Sequence, residues 1–210
     1  MPIVSDLVNR CNRLLHQEDG APVRWPADEL VQWLNDGYAA IVGVKPEANA
    51  VTAQVNLVTG VLQSIPEGAH ALITAVRNTA ESSTGAAVQA ITRATLDRMA
   101  RDWARHDASV SIDLVVPDAD PKRFYVYPPA AQGAQIEIVY SITPEPHGAY
   151  SASKNDQLKL DITYMPALVD YVVYRALSKD ADFAGNANRA QQHYAAFAAA
   201  VGGQAEGGAQ

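Results

Sequence analysis

A single cysteine is present among 210 residues, which excludes a disulfide framework and a cysteine-based metal cluster. Cys11 falls at an apolar position of a helical pattern and reads as a small buried hydrophobe. No run approaches the roughly 18 uninterrupted apolar residues of a membrane-crossing helix. The opening MPIVSDLVNR lacks the layout of a signal peptide, so the expectation is a reducing, cytoplasm-like compartment. Basic charge is also scarce. Lys and Arg total 16 against 23 Asp and Glu, giving a net charge of −7, and no basic run exists. A free-standing, sequence-reading nucleic-acid binder is excluded on that balance.

Catalytic motifs are missing as well. None of the five histidines forms a HExxH pair or has Cys or His at ligand spacing. GxSxG, GxxxxGK[ST] and GxGxxG do not occur. Asp118 and Asp120 form a DxD that could hold a divalent cation through oxygen, but Pro121 follows and a turn is the better reading. Neither a catalytic residue nor a cofactor is expected.

What is present is pattern. At residues 163–201 the chain reads as a helical hairpin. Residues 167–177 are apolar on almost every side, with only Asp170 and Arg175 charged, and such a helix must be covered by several neighbours. Pro166 suits a first turn. After it Ala187, Ala190, Tyr194, Phe197 and Val201 form a narrow seam, and the short link at 178–184 makes the two helices antiparallel neighbours. At the other end, Ile3, Leu7, Cys11 and Leu14 repeat at helical spacing, with Ser5 as the expected N-cap and Asp19 and Gly20 as the stop. A second helix follows Pro26, placed as its first residue. Asp28 and Glu29 lie in the first turn, and the stripe is Leu30, Leu34, Tyr38 and Ile41. Two helices open the chain and two close it, which invites a bundle.

Between them the period changes to two. Val51, Ala53, Val55 and Leu57 alternate with polar residues, and residues 61–65 return after a turn at Thr59 and Gly60. Residues 72–78 suit helix or strand, 81–87 read as a loop, and Leu96, Met99 and Trp103 mark a short helix. Residues 112–116, 124–127 and 136–142 then read as a three-stranded meander. An exposed linker is expected at 144–153 and a last strand at 158–162. The predicted class is α+β: a helical bundle from residues 1–48 and 163–201, an inserted antiparallel β module with one short helix at 49–162, and a tail at 202–210. The tail has no apolar residue larger than Ala, so alone it should not order, and a partner is the natural thing to hold it.

A few residues stand out as candidate contacts. Arg24 and Trp25 precede a helix and suit an exposed anchor pair, while core packing of Trp25 fits as well. Phe124, Tyr125 and Tyr127 with Lys122 and Arg123 could stack bases, but an edge strand with a cross-strand aromatic pair is the plainer reading. Arg175 in an apolar helix needs a carboxylate or carbonyls, inside the fold or on a neighbouring subunit. His193 reads as a helix-surface side chain.

Several segments together resemble a known family. RWPADELVQWLNDGYAAIVGVKPEA, LDRMARDW, PKRFYVYPP followed by IEIVYS, and YMPALVDYVVYRALSKDADFAGNANRAQQHYAAF are similar, in that order, to head-to-tail adaptor (connector) proteins of tailed bacteriophages. The likeness runs from Leu7 to Val201. It implies a structural virion protein and no enzyme. The expected role is a subunit of a dodecameric ring that binds the portal protein on one side and a tail tube or nozzle protein on the other. DNA would pass through its channel without sequence-specific binding. It further implies assembly in the host cytoplasm and a place in the virion neck. The partner-facing residues expected on this basis are Arg24, Trp25, Arg123, Tyr125, Arg175, Gly202, Gly203, Gln204 and Gln210. Two other readings remain open. One is a small hydrolase whose site joins the β module to the 81–87 loop, the other a peptide-binding module using a strand edge.

Overall fold

The structure is a computed structural model and describes residues 2–17, 24–179 and 184–202. The fold is α+β, with helices at both ends of the chain and two antiparallel-rich sheets between them. The chain divides into two compact units, Met1–Ala48 with Pro144–Gln210, and Asn49–Thr143.

The first unit is helical. Helix α1 spans Val4–Leu14 and buries Val4, Leu7, Val8 and Cys11. It begins one residue before Ser5, so Ser5 is not its cap. Its first N–H groups are instead satisfied by the chain itself: Val4 donates to the Asp156 carbonyl and Ser5 to that of Lys154, both at 3.0 Å. The Asp6 carboxylate accepts from the Ile3 N–H at 3.0 Å. Leu14, placed in the stripe by spacing, is exposed. The expected stop at Asp19 and Gly20 lies outside the described residues. Helix α2 spans Ala27–Val44, with Pro26 one position before the first turn rather than in it. Its buried face carries Leu30, Val31, Trp33, Leu34, Tyr38, Ile41 and Val42.

Helices α5 (Met165–Lys179) and α6 (Ala184–Gly202) run antiparallel: Tyr174 meets Tyr194 and Tyr171 meets Phe197, each with ring centroids 5.0 Å apart. Ala190, Phe197 and Val201 are buried as the seam predicts, whereas Ala187 and Tyr194 are exposed. Side chains of α5 pack directly onto α2 at Gly37. A Cβ there would stand 3.2 Å from both Leu168 Cδ2 and Tyr171 Cδ1.

Residues 144–162 belong to this helical unit, not to the β module where sequence pattern puts them. Most of 144–153 is exposed, as expected, although His147 and Ser153 are buried, but the strand expected at 158–162 does not form. The short helix α4 (Tyr150–Ser153) follows the buried His147, and Leu158 and Leu160 insert into the core. Gln157 bridges Ile3, Leu158 donates to the Pro2 carbonyl at 3.1 Å, and a 3-10 turn at Ile162–Tyr164 leads into α5. A strap of this kind is invisible to periodicity because its polar backbone is paired to helix ends and side chains instead of to a ladder.

In the second unit, strands β1 (Ala50–Asn56), β3 (Ala69–Asn78) and β7 (Gln135–Ile142) form one sheet in the order β1-β7-β3. Strands β2 (Gly60–Ser64), β6 (Arg123–Ala130), β5 (Leu114–Pro117) and β4 (Gln89–Ala90) form the other. The ambiguous 72–78 stretch is strand. Helix α3 covers Arg93–Met99, capped by the Thr92 hydroxyl, and Trp103 lies in a separate 3-10 turn. The expected meander is corrected: β5 pairs with β6, but β7 crosses to the other sheet. Strand β6 already has β2 on one edge and β5 on the other, and a strand has only two edges. Val115, Phe124, Val126, Ile136 and Ile138 from the two sheets share one core. Asn78 is fully buried there. Its amide donates to the carbonyls of Ala86 and Ile112 at 3.1 and 2.7 Å and accepts from the Ile112 N–H at 2.8 Å.

Candidate partner interface

The expected contact residues separate into three kinds. Trp25 belongs to the core: it is 6% exposed, and its indole N–H donates to the Ala176 carbonyl at 3.1 Å. The Gln17 side chain holds it from the other side, accepting from the Trp25 N–H at 3.0 Å. The exposed-anchor reading of Trp25 is therefore corrected. Arg24 is exposed, with its guanidinium 5.2 Å from the Trp25 ring centroid.

Arg175 pairs inside the fold. Its Nη1 donates to Asp36 Oδ2 and to the Tyr171 hydroxyl, both at 3.1 Å. Arg123 closes the 118–121 turn, its Nε 3.4 Å from Asp118 and 3.3 Å from Asp120. That arrangement also shows the DxD serving a turn. Tyr125 is half-buried, edge-on to Trp103 at 5.8 Å, with the Arg93 guanidinium 5.1 Å from its ring centroid. A ring so engaged has little face to offer a base. Gly202 is exposed at the end of α6. Gly203, Gln204 and Gln210 lie outside the described residues.

Chemistry is sparse. In the 81–87 loop, Ser83 and Thr84 direct their hydroxyls at the Ala80 carbonyl, at 3.4 and 2.8 Å. A hydroxyl oriented by a carbonyl acceptor is not activated by a base. Among the described residues no three His, Cys, Asp or Glu side chains gather as a metal site. Burial pushes the Cys11 thiol up to about 12, with the Asp170 charge adding to it, which leaves a poor nucleophile.

Sequence spacing gave no hint of several features. His193 is not a plain surface residue; its Nδ1 lies 2.8 Å from Asp170 Oδ1. Between α1 and α5 a cleft of about 360 Å³ is lined by Arg10, Arg13, Leu14, Pro166, Val169 and Asp170. Between α5 and α6 another of about 360 Å³ carries Tyr174 and Tyr194. Each is built from residues on two helices, so only the packed hairpin and its neighbour reveal it.

His147 is the most constrained polar group in the helical unit. Its side chain is fully buried, Nε2 lies 3.1 Å from the Tyr38 hydroxyl, and Nδ1 lies 3.5 Å from Asp156 Oδ2. Asn35 brackets its backbone, accepting from the His147 N–H at 2.8 Å and donating to its carbonyl at 3.0 Å. The Tyr38 hydroxyl also accepts from the Lys159 N–H at 3.1 Å, and burial pushes Tyr38 up to about 12. Burial holds the imidazole below its usual value, the Asp156 carboxylate opposes this, and the Lys159 charge adds to it. A histidine depressed on folding binds its proton more readily when unfolded. Its contribution is present above the unfolded value of about 6.5 and is lost as pH falls toward the folded value. Denaturant midpoints of the helical unit should thus fall from pH 7 to pH 5.5, and His147→Gln should flatten that slope. An equal slope in the variant would contradict the assignment.

The sequence matches the model of the SU10 adaptor protein family across residues 3–210. The chain belongs to that family of phage head-to-tail adaptors. No curated protein matches it. The adaptor is thereby a structural phage protein, a virion component that associates with other virion proteins. No described helix is long and apolar enough to cross a membrane.

Proposed function

We propose that this adaptor is a ring subunit seated between the portal and the tail. One side of the ring binds the portal protein, the other a tail tube or nozzle protein, and the ring continues the DNA channel. The observation that carries the reading is the family match over residues 3–210. The charge balance is compatible with it: a chain of net charge −7 can line a channel without holding DNA, since like charges repel. Ring subunits present two different faces to their neighbours, and rotation closes the contact. Twelve copies is the number proposed, with assembly in the host cytoplasm before the ring takes its place in the neck.

Sedimentation of the purified chain, alone and with a portal ring, tests this. A fixed ring stoichiometry on the portal is expected, and a chain that ignores its phage's portal would overturn the reading. The docking element proposed is the segment after Val201, from the exposed Gly202 through Gly203, Gln204 and Gln210. Deleting 202–210 should weaken portal binding at least about tenfold, the effect of losing one or two interface hydrogen bonds. The melting temperature should not move. Unaltered binding would remove the tail from the interface.

A further inference from the structure

The two sheets of the second unit have four edge strands, and three of them carry devices that block pairing with another chain. Strand β4 is two residues long. The β2 ladder is interrupted by a register shift between Gly60 and Leu62. Strand β3 shifts register against β7 at three places, and its end is covered where Val88 donates to the Val76 carbonyl at 3.1 Å. Strand β1 has none of these. Its seven residues, AVTAQVN, pair with β7 in unbroken register from Ala50↔Ser141 to Asn56↔Gln135. It contains neither a charge nor a proline, and its far side is bare: Ala50, Val51, Thr52, Gln54 and Asn56 are all exposed.

Which backbone groups face outward follows from one hydrogen bond. Leu57 donates to the Ala134 carbonyl at 2.9 Å, so the N–H of residue 57 points at β7. Alternation along the strand then turns Val51, Ala53 and Val55 toward β7 and Thr52, Gln54 and Asn56 toward the open edge. The surroundings are electrically quiet. Glu137, opposite Gln54, is bound by Arg77 at 3.1 and 3.3 Å. In a chain of net charge −7, this is a place where a second copy can approach without like-charge repulsion.

We propose that the free edge of β1 pairs with β1 of a second copy, antiparallel, about a two-fold axis through Ala53. An open edge needs another open edge, and among the described strands only β1 supplies one. The pairing that uses all seven residues sets Ala53 opposite Ala53, Thr52 opposite Gln54, and Val51 opposite Val55. Thr52 and Gln54 then exchange main-chain hydrogen bonds, and Val51 is covered. The two three-stranded sheets become one of six. Such a contact is isologous and closes on itself, so it is distinct from the head-to-tail contacts of a ring and does not rest on the ring reading.

The test is light scattering of the full chain over a concentration series, with two variants. The wild type is expected to dimerise. Gln54→Pro removes an N–H that the β1·β7 ladder does not use, so the fold should be kept while self-association weakens at least about tenfold. Ala53→Cys places two thiols at a pair that is not hydrogen-bonded, with Cα atoms roughly 4.5 Å apart, close enough for a disulfide. Oxidation should link two chains through it, and native Cys11, fully buried, should take no part. Val51→Cys should not link to its own copy. A wild type that stays monomeric overturns the proposal. So does a dimer that survives Gln54→Pro in a folded protein and does not link through Ala53→Cys.

Discussion

Replacing Asn78 by alanine should destabilise the β unit by about 2–6 kcal/mol. The estimate rests on the two Ile112 backbone groups that lose their partner in a fully buried place, at about 1–3 kcal/mol for each orphaned group. The Ala86 carbonyl loses one donor but keeps another, because the Asn78 N–H still reaches it at 2.7 Å. Asn78→Asp is the sharper variant. It fills the same space, but a carboxylate cannot donate to the carbonyls of Ala86 and Ile112, so it brings a buried charge against two oxygens. Both variants should lower the denaturant midpoint followed by Trp103, which lies in the β unit; Trp25 and Trp33 lie in the helical unit. A change within 0.5 kcal/mol, the ordinary range of a surface substitution as roughly drawn, would show that the clamp is dispensable.

Asn78 also marks where sequence reading stops. Residues 72–78 fit helix or strand equally by period, and nothing in the pattern says that an asparagine at the end of the run is buried. Its role comes from two residues outside any strand, Ala86 eight positions on and Ile112 thirty-four positions on. The four long helices were legible because burial on one face imposes a period that each carries alone, as Leu30, Leu34, Tyr38 and Ile41 do. Strand positions were legible for the same reason. Strand partners were not: alternation says which side of β7 faces the core, but not that its neighbours are β1 and β3. The strap at 144–162 was misread because its fixed points are single contacts such as His147 with Tyr38 and Lys159 with the Tyr38 hydroxyl. Arg175 was legible as a residue needing a partner, but Asp36 as that partner required the packing of α2 on α5. The α1–α5 cleft had no signal at all, since nothing in the pattern singles out Arg10 and Arg13, and the cleft exists only where Pro166 and Val169 stand beside them.

Trp25→Ala should cost the helical unit about 3–5 kcal/mol, the range for truncating a large buried aromatic. The side chain is buried against the core that contains Ala176 and Leu177, so its removal leaves a cavity close to the end of α5. Trp25→Phe divides the effect. The ring still fills most of the space, but the Ala176 carbonyl loses the indole donor, so an intermediate cost is expected. Arg24→Ala, next in the chain and exposed, should change stability by no more than about 0.5 kcal/mol. This series separates two roles that the sequence alone left open. An interface anchor, once truncated, weakens partner binding and leaves the melting temperature alone. A core tryptophan lowers the melting temperature of the free chain, and any loss of binding then follows the fraction unfolded. Calorimetry of the three variants without partner decides it. A free chain whose stability ignores Trp25→Ala would return that residue to the exposed surface.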